Sequence, residues 1–124
     1  MRRRVSEANV TEGKTNGREA DQESVVRRLA RFFPDASPVR IPVTVSRNAT
    51  RQVEAEATVI EFGTAREALF ACQLPVEFAD KIRLQSLDGS LQVDAWVVAV
   101  QYHRGEAAVA ARFVQELPHW VVKS

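Results

Sequence analysis

Few side chains in the sequence have the type and spacing that nucleophilic, acid–base or metal chemistry requires. Cys72, the only cysteine, lies in an apolar run with no base beside it, so we predict a small buried side chain rather than a nucleophile. His103 and His119 are the only histidines, and no cluster of acidic residues or cysteines joins them. Carboxylates such as Asp94 and Glu106 are scattered at solvent-facing positions of predicted strands. We therefore predict no catalytic residue and no metal site, and we expect that the protein is not an enzyme.

The loop best suited to holding a ligand is "EFGTARE", residues 61–67, in the middle of the stretch Glu56–Cys72. The stretch has the pattern of a strand, a tight loop and a second strand. The loop carries charges, a glycine and a threonine, although two residues would be enough to close a hairpin. The question is whether this loop is a ligand-binding turn or the remnant of one.

Six short segments must form the structure that positions this loop. In some of them apolar and polar residues alternate, and the others are apolar throughout. They are separated by polar turns, of which Asp88-Gly89 is the strongest hairpin signal. Sequential hairpins favour an antiparallel sheet, and six short strands usually hide their edges by curling into a small barrel. We therefore predict a mainly β fold, a six-stranded antiparallel barrel. The predicted strands are "VRIPVTVS", "VEAEATVIEF", "EALFACQL", "DKIRLQSL", "SLQVDAWVVAVQYH" and "EAAVAARFVQ".

An N-terminal amphipathic helix is predicted at residues 21–34, ahead of the strands. Asp21 is its expected N-cap, and Pro34 ends it. Residues 1–20 have almost nothing to bury and are predicted to form a disordered tail. The predicted organisation is thus a tail at 1–20, a helix at 21–34 that covers an end or flank of the barrel, and the barrel at 38–124. The apolar residues that recur at helical spacing are Val25, Val26, Leu29, Phe32 and Phe33.

Composition and charge limit the partners and the location. The 124 residues are 45% hydrophobic and 27% charged, which fits one soluble domain with a short appendage. The formal net charge of +1 gives little attraction for nucleic acid or an anionic membrane. No apolar run approaches the roughly 20 residues of a membrane helix, and the basic start lacks the apolar segment of a secretory signal. We expect no membrane contact and a cytoplasmic location, which a single cysteine also suits.

The order of these elements resembles the PilZ domain family, which are bacterial receptors for cyclic di-GMP. The resemblance covers roughly residues 39–120, and its last pieces are Trp96-Val97-Val98 and Ala111-Arg112-Phe113-Val114. It implies a PilZ-like barrel that serves bacterial signalling, with cyclic di-GMP as the possible ligand and no other cofactor. The segments that carry it are "RIPVTVS", "ATVIEFGTAREALFAC", the "LP" that follows, and "DKIRLQSLDGSLQVDAWVVAVQYHRGEAAVAARFVQ".

The first ligand motif of that family, R-x-x-x-R ahead of the first strand, is incomplete here. The resemblance implies two arginines whose planar guanidinium groups grip guanine edges and phosphates. Arg40 takes the place of the second arginine, but Ala36 stands where the first would be. A literal R-x-x-x-R exists at Arg27 and Arg31, and it would reach the barrel only if the linker folds back. Otherwise Arg27, Arg28 and Arg31 form a solvated helical face.

The second ligand motif, D/N-x-S-x-x-G, is also altered. Glu61, Gly63 and Arg66 take the places of its acidic or amide residue, its serine and its glycine. Gly63 removes the hydroxyl, Glu61 keeps negative charge near the phosphates, and Arg66 adds bulk where glycine would let the backbone approach. Each lost hydrogen bond to a charged group costs on the order of 1.5–3 kcal/mol. A basic side chain at Arg66 could still attract a phosphate, so an altered anion site stays open.

Two functions are compatible with this pattern. In the first, the chain is a PilZ-like signalling or adaptor domain that has weak or lost cyclic di-GMP binding and acts by contact with an unidentified protein partner. In the second, it is a cyclic di-GMP receptor with a divergent arginine site. A barrel for single-stranded nucleic acid would need a basic groove interleaved with exposed aromatics, and most of the aromatics here are at predicted inward positions. The arginines of the divergent site are Arg27, Arg28, Arg31 and Arg40, and the aromatic anchors for a protein partner are Phe32, Phe33, Trp96 and Trp120.

Overall fold

Six antiparallel strands and one short helix make up the residues that the computed structural model describes, which are 24–48, 52–115 and 117. The fold is mainly β, as predicted, and each of the six predicted strands is present. The bounds are Val25–Ala30 for the helix α1, and Ser37–Asn48 (β1), Val53–Gly63 (β2), Glu67–Ala71 (β3), Lys81–Ser86 (β4), Gln92–His103 (β5) and Glu106–Phe113 (β6) for the strands.

The strands close into a barrel in the order β1-β2-β3-β6-β5-β4. Strands β1 to β3 follow one another both along the chain and around the barrel, and so do β4 to β6. Two pairings between these sets complete the ring: β3 joins β6 at pairs such as Glu67↔Arg112, and β1 joins β4 at pairs such as Val43↔Ser86. The predicted barrel is confirmed. Each strand of the described barrel has a neighbour on both sides, so no strand has a whole edge left unpaired.

Alternating apolar side chains fill the barrel. In β4, Ile82 and Leu84 are buried while Lys81, Arg83 and Gln85, which alternate with them, are exposed; this is the period of a strand with one face inward. Phe70 of β3 is fully buried and, among the described residues, is the largest side chain in that state. The barrel core also includes Val43, Val45, Ile60, Val93, Ala95, Val97, Val109, Ala111 and Phe113.

A second apolar layer lies outside the barrel, where α1 packs on β3 and β6. Val26 and Leu29 of the helix contact a surface formed by Leu69, Ala108 and Ala110. The two alanines lack bulk, so the helix approaches the strands closely. Because β3 and β6 are buried on both faces, their sequences read as almost continuous apolar runs instead of alternating ones.

The helix is shorter than predicted and begins at a different cap. Its N-cap is Ser24 rather than Asp21, and the Ser24 hydroxyl accepts a hydrogen bond of 3.0 Å from the Arg27 amide. After Ala30 the chain tightens, because the Phe32 and Phe33 amides donate to carbonyls three residues back. Pro34 disfavours helical backbone in the residue before it, so the apolar spacing of the two phenylalanines does not continue the helix.

Some predictions concern residues outside the described ranges. These are the tail at 1–20, the first part of the predicted helix, and the segment with His119 and Trp120. Among the described residues, no helix has the length and apolarity needed to cross a membrane.

The turn between β5 and β6 is a two-residue hairpin loop, Arg104-Gly105, where the sequence predicts a turn. Both residues have positive φ angles, 53° and 82°. This is the backbone of a type I′ turn, which matches the twist of the flanking strands. Glycine adopts it freely, whereas an arginine side chain crowds the neighbouring carbonyl.

Replacing Arg104 by asparagine is expected to raise the free energy of unfolding by about 0.5–1 kcal/mol, because asparagine tolerates left-handed backbone and Asn-Gly favours this turn. Urea unfolding followed by tryptophan fluorescence measures the change. The control is Arg104→Ala, which removes the same charge but keeps the steric cost. An equal gain in both variants would assign the effect to the lost charge and refute the backbone explanation.

Candidate functional site

The loop between β2 and β3 is closed by its own hydrogen bonds. The Thr64 hydroxyl accepts from the backbone amides of Arg66 and Glu67, each at 2.9 Å, and donates to the Glu67 Oε1 at 2.7 Å. The Thr64 amide also donates to the Glu67 carbonyl at 2.9 Å. A threonine hydroxyl that bonds the backbone two and three residues ahead stabilises a tight turn without help from a ligand.

Glu67 connects this loop to the barrel wall. Its carboxylate is buried, and its Oε2 accepts from the Nε and Nη2 of Arg112 at 3.0 and 2.8 Å. Glu67 and Arg112 are also direct cross-strand partners. A buried carboxylate is tolerated only when it is paired and hydrogen-bonded, and here both of its oxygens have partners.

The three altered motif positions do not converge on one point. Glu61 accepts a hydrogen bond of 3.1 Å from the Ser24 hydroxyl, so its carboxylate is held against the start of α1. Gly63 is buried inside the barrel wall, paired with Ser37 and Ala68. Arg66 is exposed in the loop, and its carbonyl accepts from the Phe113 amide at 2.8 Å. Gly63 and Arg66 line one cavity, whereas Glu61 lines another.

The cavity beside the loop is the place where the resemblance implies a ligand. Its volume is about 670 Å³, and it lies between the segment that follows α1 and the loop before β3. The charged residues that line it are Asp35, Arg66, Glu67 and Arg112, so two cations face two anions. Its apolar wall includes Phe32, of which 71% is exposed. This balance of charge is unlike the cluster of cations that a doubly charged phosphate ligand needs.

The predicted arginines do not all lie in the same part of the structure. The linker folds back so that α1 lies on the barrel, and the Arg27 guanidinium sits 5.8 Å from the centre of the Phe62 ring. Arg40 is exposed on β1, between the partners of Phe62 and Ile60, so it belongs to the same part of the wall.

Arg28 and Arg31 lie elsewhere. The Nε of Arg28 is buried without a hydrogen-bond partner among the described residues. Arg28 lies near the turn after β5, close enough for its charge to act on His103. The pKa of His103 is lowered mainly by burial, and the positive charges of Arg28 and Arg104 lower it further. Arg31 is exposed at the C-cap of α1. Arg27, Arg28, Arg31 and Arg40 therefore do not form one cluster.

Cys72 is the small buried side chain that the sequence predicts. Its Sγ lies 3.6 Å from the Glu56 Oε1, and burial raises the pKa of the thiol to about 11. A thiol in this state is not a nucleophile at neutral pH. The described part of the chain contains no group of three histidine, cysteine or acidic side chains that could hold a metal ion.

Sequence reasoning missed a row of side chains on the outer wall. Lys81, Trp96, Arg112 and Glu67 are successive cross-strand partners on β4, β5, β6 and β3. Trp96 was a candidate contact residue, and it is 45% exposed rather than part of the core. Nothing in any one strand indicates the row, because it exists only through the register of four strands.

The other predicted aromatic anchors differ in exposure. Phe32 is exposed, whereas Phe33 is half-buried against the layer between α1 and the barrel. Of the predicted anchors, Phe32 at the rim of the loop cavity and Trp96 on the outer wall are therefore exposed, and so are two aromatics that were not predicted as anchors, Phe78 and Tyr102. Neither a protein-family model nor a curated protein matches the chain, so its function has to be inferred from this geometry.

Proposed function

We propose that the chain is a PilZ-like signalling domain of the bacterial cytoplasm that binds cyclic di-GMP weakly or not at all and acts by contact with a protein partner. The proposal rests on the barrel with its preceding helix, and above all on the loop between β2 and β3. Its Thr64 hydroxyl and the Glu67 carboxylate already bond to each other, and Arg112 completes the set.

The hydrogen-bonding groups of this loop would have to be released before a ligand could use them. A nucleotide that took the Thr64 hydroxyl would leave the Oε1 of the buried Glu67 carboxylate without its partner, which is costly. Ala36 offers no side-chain hydrogen bond, and the carboxylate of Glu61 is engaged by Ser24. The affinity that remains would come from exposed cations alone, which is weak at physiological salt.

A second candidate is a cyclic di-GMP receptor whose site is built from Arg27 and Arg40. It is favoured by one observation, namely that the helix folds back and brings Arg27 over Phe62, beside the strand that carries Arg40. An arginine stacked on an aromatic ring presents a guanidinium that suits both phosphates and guanine bases.

Isothermal titration of the full chain with cyclic di-GMP separates the two candidates. The first predicts no heat that saturates at micromolar concentrations of cyclic di-GMP. Saturable heat that is lost in both Arg27→Ala and Arg40→Ala, but kept in the control Arg104→Ala, would refute the first candidate and support the second. Saturable heat that survives in all three variants would contradict both arginine roles and the loss of binding.

A further inference from the structure

The row on the outer wall sets an aromatic ring between two cations. Lys81 and Arg112 are the direct cross-strand neighbours of Trp96 on its two sides. The Lys81 Nζ lies 5.6 Å from the centre of the Trp96 ring. Side chains of direct partners are about 4.5–5.5 Å apart at Cβ, so the Arg112 side chain begins beside the indole on the side opposite Lys81.

The cations of this surface are more exposed than the anions. The side chains of Lys81, Arg83 and Arg112 are 56%, 51% and 54% exposed, whereas those of Asp94 and Glu67 are 30% and 11% exposed. Asp94 is shared, because its two oxygens lie 3.8 Å from the Lys81 Nζ and 3.1 Å from the Arg83 Nε. A molecule that approaches the wall therefore meets positive charge first.

Apolar side chains flank the row. Val114 is exposed, and its amide donates to the Asp94 carbonyl, which places it beside the strand that carries Trp96. Phe78 is also exposed, and the next residue, Ala79, donates its amide to the Val97 carbonyl. Helix α1 packs at Val98 and Ala99, further along the same strand, so it leaves this part of the wall uncovered.

We propose that the surface formed by Lys81, Trp96 and Arg112 docks an acidic segment of a partner protein, with an apolar side chain of that segment on the indole and carboxylates on the two cations. This inference rests on the proposed function and names the chemistry of its partner. Tryptophan and arginine dominate the energetics of protein interfaces, and complementary charge sets the orientation of the partner.

The charges of the surface favour a peptide over a nucleic acid. Together with its neighbours the surface carries three cations and two carboxylates, which leave one net positive charge. This charge is small for a phosphate backbone, which needs several cations along its path. The charged side chains counted here are those of Lys81, Arg83, Arg112, Asp94 and Glu67. The carboxylates of Asp94 and Glu67 would lie close to that backbone. An acidic peptide brings isolated charges that can avoid them.

The test is fluorescence anisotropy of a labelled, glutamate-rich peptide that contains leucine, titrated with the full chain without any nucleotide. Saturable binding is expected, and Trp96→Ala is expected to weaken it at least about tenfold. Lys81→Gln, which lies far from the core, is expected to weaken it about two- to fivefold. Arg104→Gln is the matched control, because it removes an exposed positive charge at a different turn and leaves binding unchanged.

Four results would overturn the docking surface. They are no binding to the native chain, equal binding by the Trp96→Ala variant, equal binding of a peptide with glutamines in place of glutamates, and binding of a single-stranded oligonucleotide that depends on Trp96. The anisotropy experiment measures peptide binding at this wall alone, whereas the titration with cyclic di-GMP tests ligand binding at the loop and the arginines. Failure of the docking surface is therefore distinguishable from failure of the proposed function.

Discussion

Replacing Phe70 by alanine is expected to lower the free energy of unfolding by about 3–5 kcal/mol, the cost typical of removing a buried aromatic ring and leaving a cavity. Phe70 is fully buried, and the barrel core surrounds it. The strands form a closed ring, so they cannot move inward to fill the space without breaking their hydrogen bonds. Urea unfolding followed by circular dichroism measures the change, and a loss below about 1 kcal/mol would contradict a barrel packed around this ring.

Leu69→Ala is the matched control, because Leu69 is equally buried but faces the opposite side of β3. Truncating Leu69 removes apolar contacts with α1 and leaves the centre of the barrel intact. We expect faster hydrogen exchange at Val25–Ala30 in this variant while the strands stay protected. In Phe70→Ala, exchange is expected to rise in the strands as well. The same exchange pattern in both variants would show that the two apolar layers are not separate.

Replacing Glu67 by alanine is expected to lower the free energy of unfolding by about 2 kcal/mol. Breaking a fully buried ion pair costs about 3–5 kcal/mol, and here water compensates part of the loss because Arg112 is half exposed. The Thr64 hydroxyl also loses its acceptor, so the loop loosens. Urea unfolding gives the free energy of unfolding. Hydrogen exchange at the backbone amides of residues 66 and 67, compared between the native chain and the variant, reports on the loop.

Glu67→Gln separates charge from shape. The amide oxygen still accepts from Thr64, but the charge that pairs with Arg112 is gone, so an intermediate loss is expected. A double-mutant cycle with Arg112→Ala gives the coupling between the two side chains. If neither Glu67 variant differs from the native chain by more than about 0.5 kcal/mol, the ion pair is not what holds this loop.

The sequence predicts the barrel because most of its strands are patterned on one side only. The alternation through Ile82 and Leu84, and the turns at Asp88-Gly89 and Arg104-Gly105, are local signals that do not depend on distant residues. The end of the helix is less local. Phe32 and Phe33 have helical spacing, but Pro34 and the packing of α1 on the barrel decide where the helix stops.

The sequence predicts which residues of the candidate site are altered, but it does not predict which side chains bond to one another there. The resemblance marks Glu61, Gly63 and Arg66 as altered motif positions. Thr64 and Glu67, which lie between and beside them, take up the hydrogen bonds of the loop. The partner of Glu67 is 45 residues away, so no local pattern could reveal it.

The order of strands around the ring has a consequence for how the protein folds. Strands β1 to β3 form one antiparallel meander and β4 to β6 form another, and each can assemble from neighbours in the chain. Neither half alone encloses Phe70, because its surroundings come from both. We therefore expect the slow event in folding to be the pairing of the two halves across the β3–β6 and β1–β4 seams, because these seams join residues far apart in sequence.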